Sequence, residues 1–172
     1  MSVRFEPLSK EHDRAGFRSA SEALNKYLRE LARKDAERGV GVAFVMVDDA
    51  APKTIIGYYT LSSFSIELTS LPEDLQKKLP RYPSVPATML GRLARDGRNP
   101  GTGATLLMDA LVRAYQNSKN VASFAVVADA KDQKAVEFYQ RHDFQILTPA
   151  AEGKMARVFI PMATVAALLE RS

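Results

Sequence analysis

The segment Arg98-Asn99-Pro100-Gly101-Thr102-Gly103-Ala104 sets two closely spaced glycines between an apolar run, Ala87 to Ala94, and a helix-like run, Thr105 to Tyr115. The chemistry that suits this order is anion binding. Glycine lets the main chain approach a phosphate closely, and the free N–H groups of a helix's first turn point at it. The amides of Gly101, Thr102, Gly103 and Ala104 are the candidate donors. Arg98 and Asn99 open the loop, with Arg98 able to add charge-assisted contacts. The spacing is Arg-x-x-Gly-x-Gly. It is neither the three-glycine dinucleotide fingerprint nor a Walker loop with Gly-Lys-Ser/Thr. Taken alone it suits an ordinary strand-to-helix turn equally well.

Other chemistries are excluded by residue supply. Cysteine is absent and only two histidines occur, so disulfides and thiol nucleophiles are ruled out and no metal site is expected. The lack of cysteine fits a cytoplasmic protein. No run of about 18 apolar residues predicts a membrane span, and the start, Met1 to Glu6, lacks the apolar core of a signal peptide. The net charge of +4 is unevenly placed: between Gln76 and Arg98 stand Lys77, Lys78, Arg81, Arg92, Arg95 and Arg98 against Asp96 alone. Such a stretch suits a phosphate-bearing ligand or a polyanionic substrate, or forms a solvated face.

The elements that must hold the loop are legible from periodicity. At 172 residues, 46% of them apolar, one domain spanning 1–172 with a substantial core is expected. A first strand is expected at Arg4–Leu8. Ser19 or Ser21 caps a helix that runs through Arg38, with Leu24, Leu28, Leu31 and Ala32 on one face and Gly39 as its stop. Strands at 40–47 and 54–68 form an antiparallel hairpin across the turn at 48–53. A short helix at 71–79 leads into a linker punctuated by Pro80, Pro83 and Pro86. A strand at 87–95, the glycine loop and a helix at 103–118 follow, the helix with Leu106, Leu107, Ala110, Leu111 and Ala114 as one stripe. A strand at 123–127, a helix capped by Asp132, a strand pair at 144–147 and 157–160, and a helix at 164–170 complete an α+β chain around a mixed, mostly antiparallel sheet.

The loop matches the Q/R-x-x-G-x-G/A signature of the GNAT N-acetyltransferases. Ala135-Val136-Glu137-Phe138-Tyr139-Gln140-Arg141-His142-Asp143-Phe144 is similar to their A-x-x-F-Y-x-x-x-G-F segment, with Asp143 at the usual glycine position. Three further blocks carry a narrower resemblance. They are Ile56-Gly57-Tyr58-Tyr59-Thr60-Leu61-Ser62, Leu79-Pro80-Arg81-Tyr82-Pro83-Ser84-Val85-Pro86 and Leu90-Gly91-Arg92-Leu93-Ala94. Together they resemble the GNAT toxins of bacterial toxin–antitoxin pairs. The likeness covers about Phe17 to Pro161 and departs at Phe17-Arg18-Ser19-Ala20, where many relatives carry Asp-Cys-Gly after the phenylalanine.

The resemblance implies the GNAT fold, acetyl-CoA as co-substrate, an aminoacyl-tRNA substrate, a ribbon-helix-helix antitoxin and a homodimer. It implies that the main chain of Leu93, Ala94 and Arg95 pairs with the pantetheine arm, that Phe138 lines the cofactor site, and that Tyr139 is the proton donor. A phenol, with an ordinary pKa of about 10, is protonated at neutral pH and can protonate a departing thiolate. Without the motif, Tyr139 would read as a core aromatic beside Phe138, and His142 as a packing residue. Lys77, Lys78, Arg81 and Arg92 are the candidate contacts to the tRNA backbone. Arg92 has the alternative of an interior strand position paired with a carboxylate or CoA, since strand alternation puts it opposite Leu93 and Arg95.

Pro86–Arg95 contains no Asp or Glu. A lysine amine (pKa about 10.4) would need a strong base there, whereas even a free α-amine sits near 7.7–8.0 and an aminoacyl ester lower still. The strand therefore suits an aminoacyl-tRNA, with Glu67 acting through water as the alternative. Two rivals keep the loop: a GNAT enzyme acting on a small amine, a peptide N-terminus or a protein lysine, and a non-catalytic acyl-CoA-binding module.

Overall fold

The computed structural model describes residues 1–171. Seven strands are present: β1 (Val3–Pro7), β2 (Val42–Asp48), β3 (Gly57–Glu67), β4 (Ser84–Arg95), β5 (Ala125–Ala130), β6 (Gln145–Thr148) and β7 (Ala156–Pro161). The helices are α1 (Glu22–Glu30), α2 (Ala32–Glu37), α3 (Glu73–Gln76), α4 (Gly103–Asn117), α5 (Gln133–Arg141) and α6 (Met162–Glu170), with a 3-10 turn at Leu68–Ser70. The sheet order is β1-β2-β3-β4-β5-β7-β6. The pairs β1–β2, β2–β3, β5–β7 and β6–β7 are antiparallel and β4–β5 is parallel, as expected of an α+β chain. Among the described residues no helix is long and apolar enough to cross a membrane.

The chain divides into two compact units, residues 1–62 with 91–110, and 63–90 with 111–172. In the first unit, Phe17, Tyr27, Leu28, Ala32, Val45, Tyr58 and Ala94 form a core of α1 and α2 against the sheet. Phe17 meets Tyr58 edge to face with centroids 5.5 Å apart. The Tyr58 hydroxyl donates to the Leu24 carbonyl at 2.7 Å, so a buried polar tip is satisfied. Ser21 caps α1 by accepting from the Leu24 N–H at 3.3 Å.

The continuous helix expected through Arg38 is broken at Leu31, whose φ of −118° departs from helical geometry. The break leaves Leu31 47% exposed and turns Tyr27, Leu28 and Ala32 inward. Tyr27, too polar to be chosen from periodicity, replaces Leu31 in the buried stripe. Its hydroxyl donates to Asp35 at 2.7 Å across the break.

In the second unit, Ile66, Leu71, Val85, Ala87, Ala125, Val127 and Phe159 form the core, with Leu75 and Leu79 packed against it. The helix expected at 71–79 is a single turn at Glu73–Gln76, because Pro72 and Pro80 bracket it. Asp132 caps α5, accepting from the Ala135 N–H at 2.8 Å. Asp143 has φ +69°, the left-handed turn for which its motif reserves a glycine.

Gly57 marks a close approach within the first unit. A Cβ there would lie 2.5 Å from Leu106 Cδ1 and 3.0 Å from the Ala94 carbonyl. Gly57→Ala is expected to lose about 1–3 kcal/mol in urea unfolding. Gly41→Ala, with nothing within 4 Å of the new Cβ, should unfold close to wild type. Equal stability of the two variants would show that the Gly57 contact is not limiting.

Candidate active site

The loop from β4 to α4 is organised by a carboxylate. Asp96, 1% exposed, accepts from the main-chain N–H of Arg18 at 2.9 Å and of Arg98 at 2.9 Å. The Arg98 guanidinium grips it bidentately, Nε to Oδ1 at 2.8 Å and Nη2 to Oδ2 at 2.8 Å. Nη2 also donates to the Gly16 carbonyl at 3.0 Å. The Arg98 side chain and these donors hold the Asp96 carboxyl far below the usual carboxylate range, against the opposing effect of burial. Hydrogen bonds from Asp96 N–H to the Ile56 carbonyl at 2.7 Å and from Gly97 N–H to the Arg18 carbonyl at 2.8 Å fix the main chain on either side. Arg98 is expected to open the loop and to add charge-assisted contacts. It is 67% exposed along its side chain, but the geometry gives its fork first to Asp96.

Past Asp96 the main chain is left with donors to offer. Gly101 has φ +82°, open only to glycine without strain. The Thr102 hydroxyl donates to the Asn99 carbonyl at 2.9 Å, closing the turn. The Thr102 carbonyl accepts from the Leu106 N–H at 3.0 Å, the first hydrogen bond of α4. The amides of Gly101, Thr102, Gly103 and Ala104 donate to no acceptor among the described residues. The first turn of α4 carries no acidic side chain. A row of unsatisfied N–H groups at a helix start, in a loop pinned by a buried carboxylate, fits a diphosphate. Upstream, Ala94 is buried and Leu93 half-buried. The registered pairs of β4 with β5 end at Leu90 and Ala128, so the main chain of Leu93–Arg95 lies outside them.

In the second unit, α5 presents Tyr139, 6% exposed. Its ring packs on Phe138 at 5.4 Å and Phe144 at 5.0 Å between centroids. The hydroxyl makes no hydrogen bond among the described residues, yet it is not sealed from solvent. Burial pushes the phenol well above its ordinary 10.0, with the charge of Asp129 adding to the shift. The group is therefore a neutral O–H donor over the whole working pH range. Asp129 is held by Arg157 on the neighbouring strand, Nε to Oδ1 at 2.8 Å. His142 accepts no catalytic role from its position: its Nδ1 lies 2.8 Å from the Phe138 carbonyl at the end of α5.

The expected substrate cations separate by environment. Lys77, Lys78 and Arg81 are exposed and make no ion pair among the described residues. Arg92 instead lies over the ring of Tyr27, 3.5 Å from its centroid. A cation over an aromatic face is held by the ring quadrupole, so the head of Arg92 is committed to the first unit's core side, and neither a carboxylate nor a free position describes it. Burial pushes the Tyr27 phenol up to about 12, Arg92 working against that rise. Among the described residues no cluster of three or more His, Cys, Asp or Glu could hold a metal. Asp96 and the Asp129–Arg157 pair escaped the sequence reading. Asp96 two residues before Arg98 is the signal that was present, but its partners come from residues 16–18 and cannot be found by spacing.

Because the folded-state pKa of Asp96 is depressed, its stabilisation is complete above the unfolded value of 3.8 and fades as pH falls below it. Asp96→Asn, which turns an amide NH₂ toward existing donors, should lose about 1–3 kcal/mol at neutral pH. The loss should shrink as both proteins are titrated below about pH 4. A gap constant across acid titration would remove the charge from this account.

No protein-family model matches the chain. It is 29% identical over 174 residues to the probable toxin TacT of Sinorhizobium fredii (strain NBRC 101917 / NGR234), covering 95% of this chain and 93% of that protein. Among solved structures, AtaT complexed with acetyl-methionyl-tRNAfMet superposes with a TM-score of 0.86 at 27% identity, over 98% of this chain and 99% of that one. AtaTR bound with AcCoA superposes with a TM-score of 0.82 at 26% identity, over 98% of both chains. The chain shares its seven-stranded fold with these toxins and resembles them in sequence along nearly its whole length.

Proposed function

We propose that this chain transfers an acetyl group from acetyl-CoA to the α-amine of an aminoacyl-tRNA, as a toxin that blocks translation. The observation that carries the reading is the row of unpartnered amides from Gly101 to Ala104, aligned at the start of α4. It is supported by the likeness to a structure bound with AcCoA and to one complexed with acetyl-methionyl-tRNAfMet.

Acetyl-CoA supplies an acyl group activated as a thioester. The four amides and the dipole of α4 bind its diphosphate. Asp96 and Arg98 keep that loop in its binding shape. The main chain of Leu93–Arg95, outside the registered pairs with β5, is available to the pantetheine amides. Phe138 lines the site beside Tyr139. As the C–N bond forms and the C–S bond breaks, Tyr139 gives its hydroxyl proton to the departing sulfur, and the proton shed by the acylated nitrogen passes through water to restore the phenol.

No strong base is called for. Asp96 is engaged by Arg98 and the Arg18 amide, Asp129 by Arg157. An amine already uncharged near neutral pH, as on an aminoacyl ester, suits such a site better than a lysine. Lys77, Lys78 and Arg81 supply a salt-sensitive hold on the tRNA backbone. In the same reading the two units act as one domain across 1–172, the enzyme works in the cytoplasm, and an antitoxin restrains it.

Incubation with acetyl-CoA and a pool of charged tRNAs, followed by mass analysis of released aminoacyl adenosines, should reveal N-acetylated species. Faster acetylation of lysine peptides than of any charged tRNA would overturn the substrate. Tyr139→Phe should lower kcat by about 10²–10⁴-fold with calorimetric acetyl-CoA affinity retained. Since the phenol is raised above 10.0, the wild-type rate should show no downturn from this group up to about pH 10. Wild-type turnover in Tyr139→Phe would remove the proposed acid.

A further inference from the structure

The basic turn after α3 carries a feature that acetyl transfer does not use. Tyr82 is 66% exposed, and neither its ring nor its hydroxyl has a partner among the described residues. The ring is nonetheless carried on a constrained backbone. On one side Leu79 packs against the second unit's core. The Tyr82 N–H donates back to the Pro80 carbonyl at 2.9 Å, and the Pro83 carbonyl accepts from the Leu68 N–H at 3.0 Å. On the other side Val85 is buried. Pro80 and Pro83 narrow what freedom is left. A large aromatic held out on a fixed turn loses little entropy when something covers it.

The surroundings indicate what would cover it. Lys77, Lys78 and Arg81 flank the ring in sequence, exposed and without ion pairs. The acids nearest in sequence, Glu73 and Asp74, belong to the first turn of α3, where they complement its dipole. Unpaired cations beside a flat exposed ring match a nucleic acid with unstacked bases: phosphates meet the cations and a base face meets the ring. A duplex keeps its bases stacked and would use the cations alone.

We propose that Tyr82 stacks on an unpaired nucleotide at the acceptor end of the charged tRNA, while Lys77, Lys78 and Arg81 hold the adjoining phosphates. The inference rests on aminoacyl-tRNA being the substrate, and it makes Tyr82 a substrate-positioning residue.

The test uses the full chain and two RNA hairpins, one with a short single-stranded 3′ overhang and one blunt. Wild type should prefer the overhang. Tyr82→Ala should weaken overhang binding by about 5- to 100-fold, the range for one stacked base, and leave the blunt hairpin nearly unchanged. Tyr82→Trp should keep the preference. The salt slope of binding should survive in Tyr82→Ala and flatten in Lys77→Gln/Lys78→Gln, which removes phosphate contacts. With charged tRNA, Tyr82→Ala should raise KM and spare kcat. Equal wild-type binding of the two hairpins, or equal weakening of both by Tyr82→Ala, would overturn the proposal. So would a loss confined to an acidic peptide, which would assign the turn to a protein partner. Acetylation of charged tRNA at unchanged KM in Tyr82→Ala sinks the stacking alone. An overhang preference that depends on Tyr82, in a protein that acetylates no charged tRNA, sinks the substrate reading alone.

Discussion

A single carboxylate sets the geometry on which the binding loop depends. Asp96 sits where β4 ends, and burial there would normally favour its protonated form. The bidentate Arg98 fork and the amides of Arg18 and Arg98 reverse that preference. Once its acceptor capacity is filled by the residues around it, the main chain beyond must turn without further carboxylate help. Gly101 makes the turn at positive φ, and the amides of Gly101 to Ala104 find no acceptor among the described residues. Unsatisfied donors usually represent a loss. At this position they suit an anion, the role the proposed function gives them, and Asp96 fixes the main chain that precedes them.

The chemistry is divided by physical type. In the proposed function the donors to phosphate are main-chain amides, which need no titration across the working pH range. The phenol of Tyr139 is kept protonated by burial, which suits the acid role proposed for it. Asp96 and Asp129 are both paired with arginine. The proposed amine, uncharged near neutrality, suits these paired carboxylates, because a site without a base must receive its nucleophile already deprotonated.

Much of the fold was legible in the residue order. Leu106, Leu107, Ala110, Leu111 and Ala114 recur at helical spacing, and all are buried. Asp132 announced α5, and the strands expected at 40–47 and 54–68 pair as an antiparallel hairpin, at Val42–Asp48 and Gly57–Glu67. The errors arose where local pattern competes with packing. Leu31 fits an apolar stripe but is turned outward, because the break there lets Tyr27 reach Asp35 and take Arg92 on its face. Asp143 shows the reverse: the motif flagged a glycine position, and the aspartate adopts the left-handed turn regardless.

The sequence by itself determined the loop that ends β4 and begins α4, the capped helix that carries Tyr139, and the cations at 77, 78 and 81. These are signals spread over a few neighbouring residues, governed by local conformational preference and periodicity. Tertiary structure alone decided which charges stay free. Arg98 is taken by Asp96, Arg157 by Asp129 and Arg92 by the ring of Tyr27. Two of these pairings join residues far apart in the chain, and even the near one is completed by Arg18 and Gly16. A charge acquires a function only once the fold has settled what it is not already paired with, and that depends on contacts no spacing rule contains.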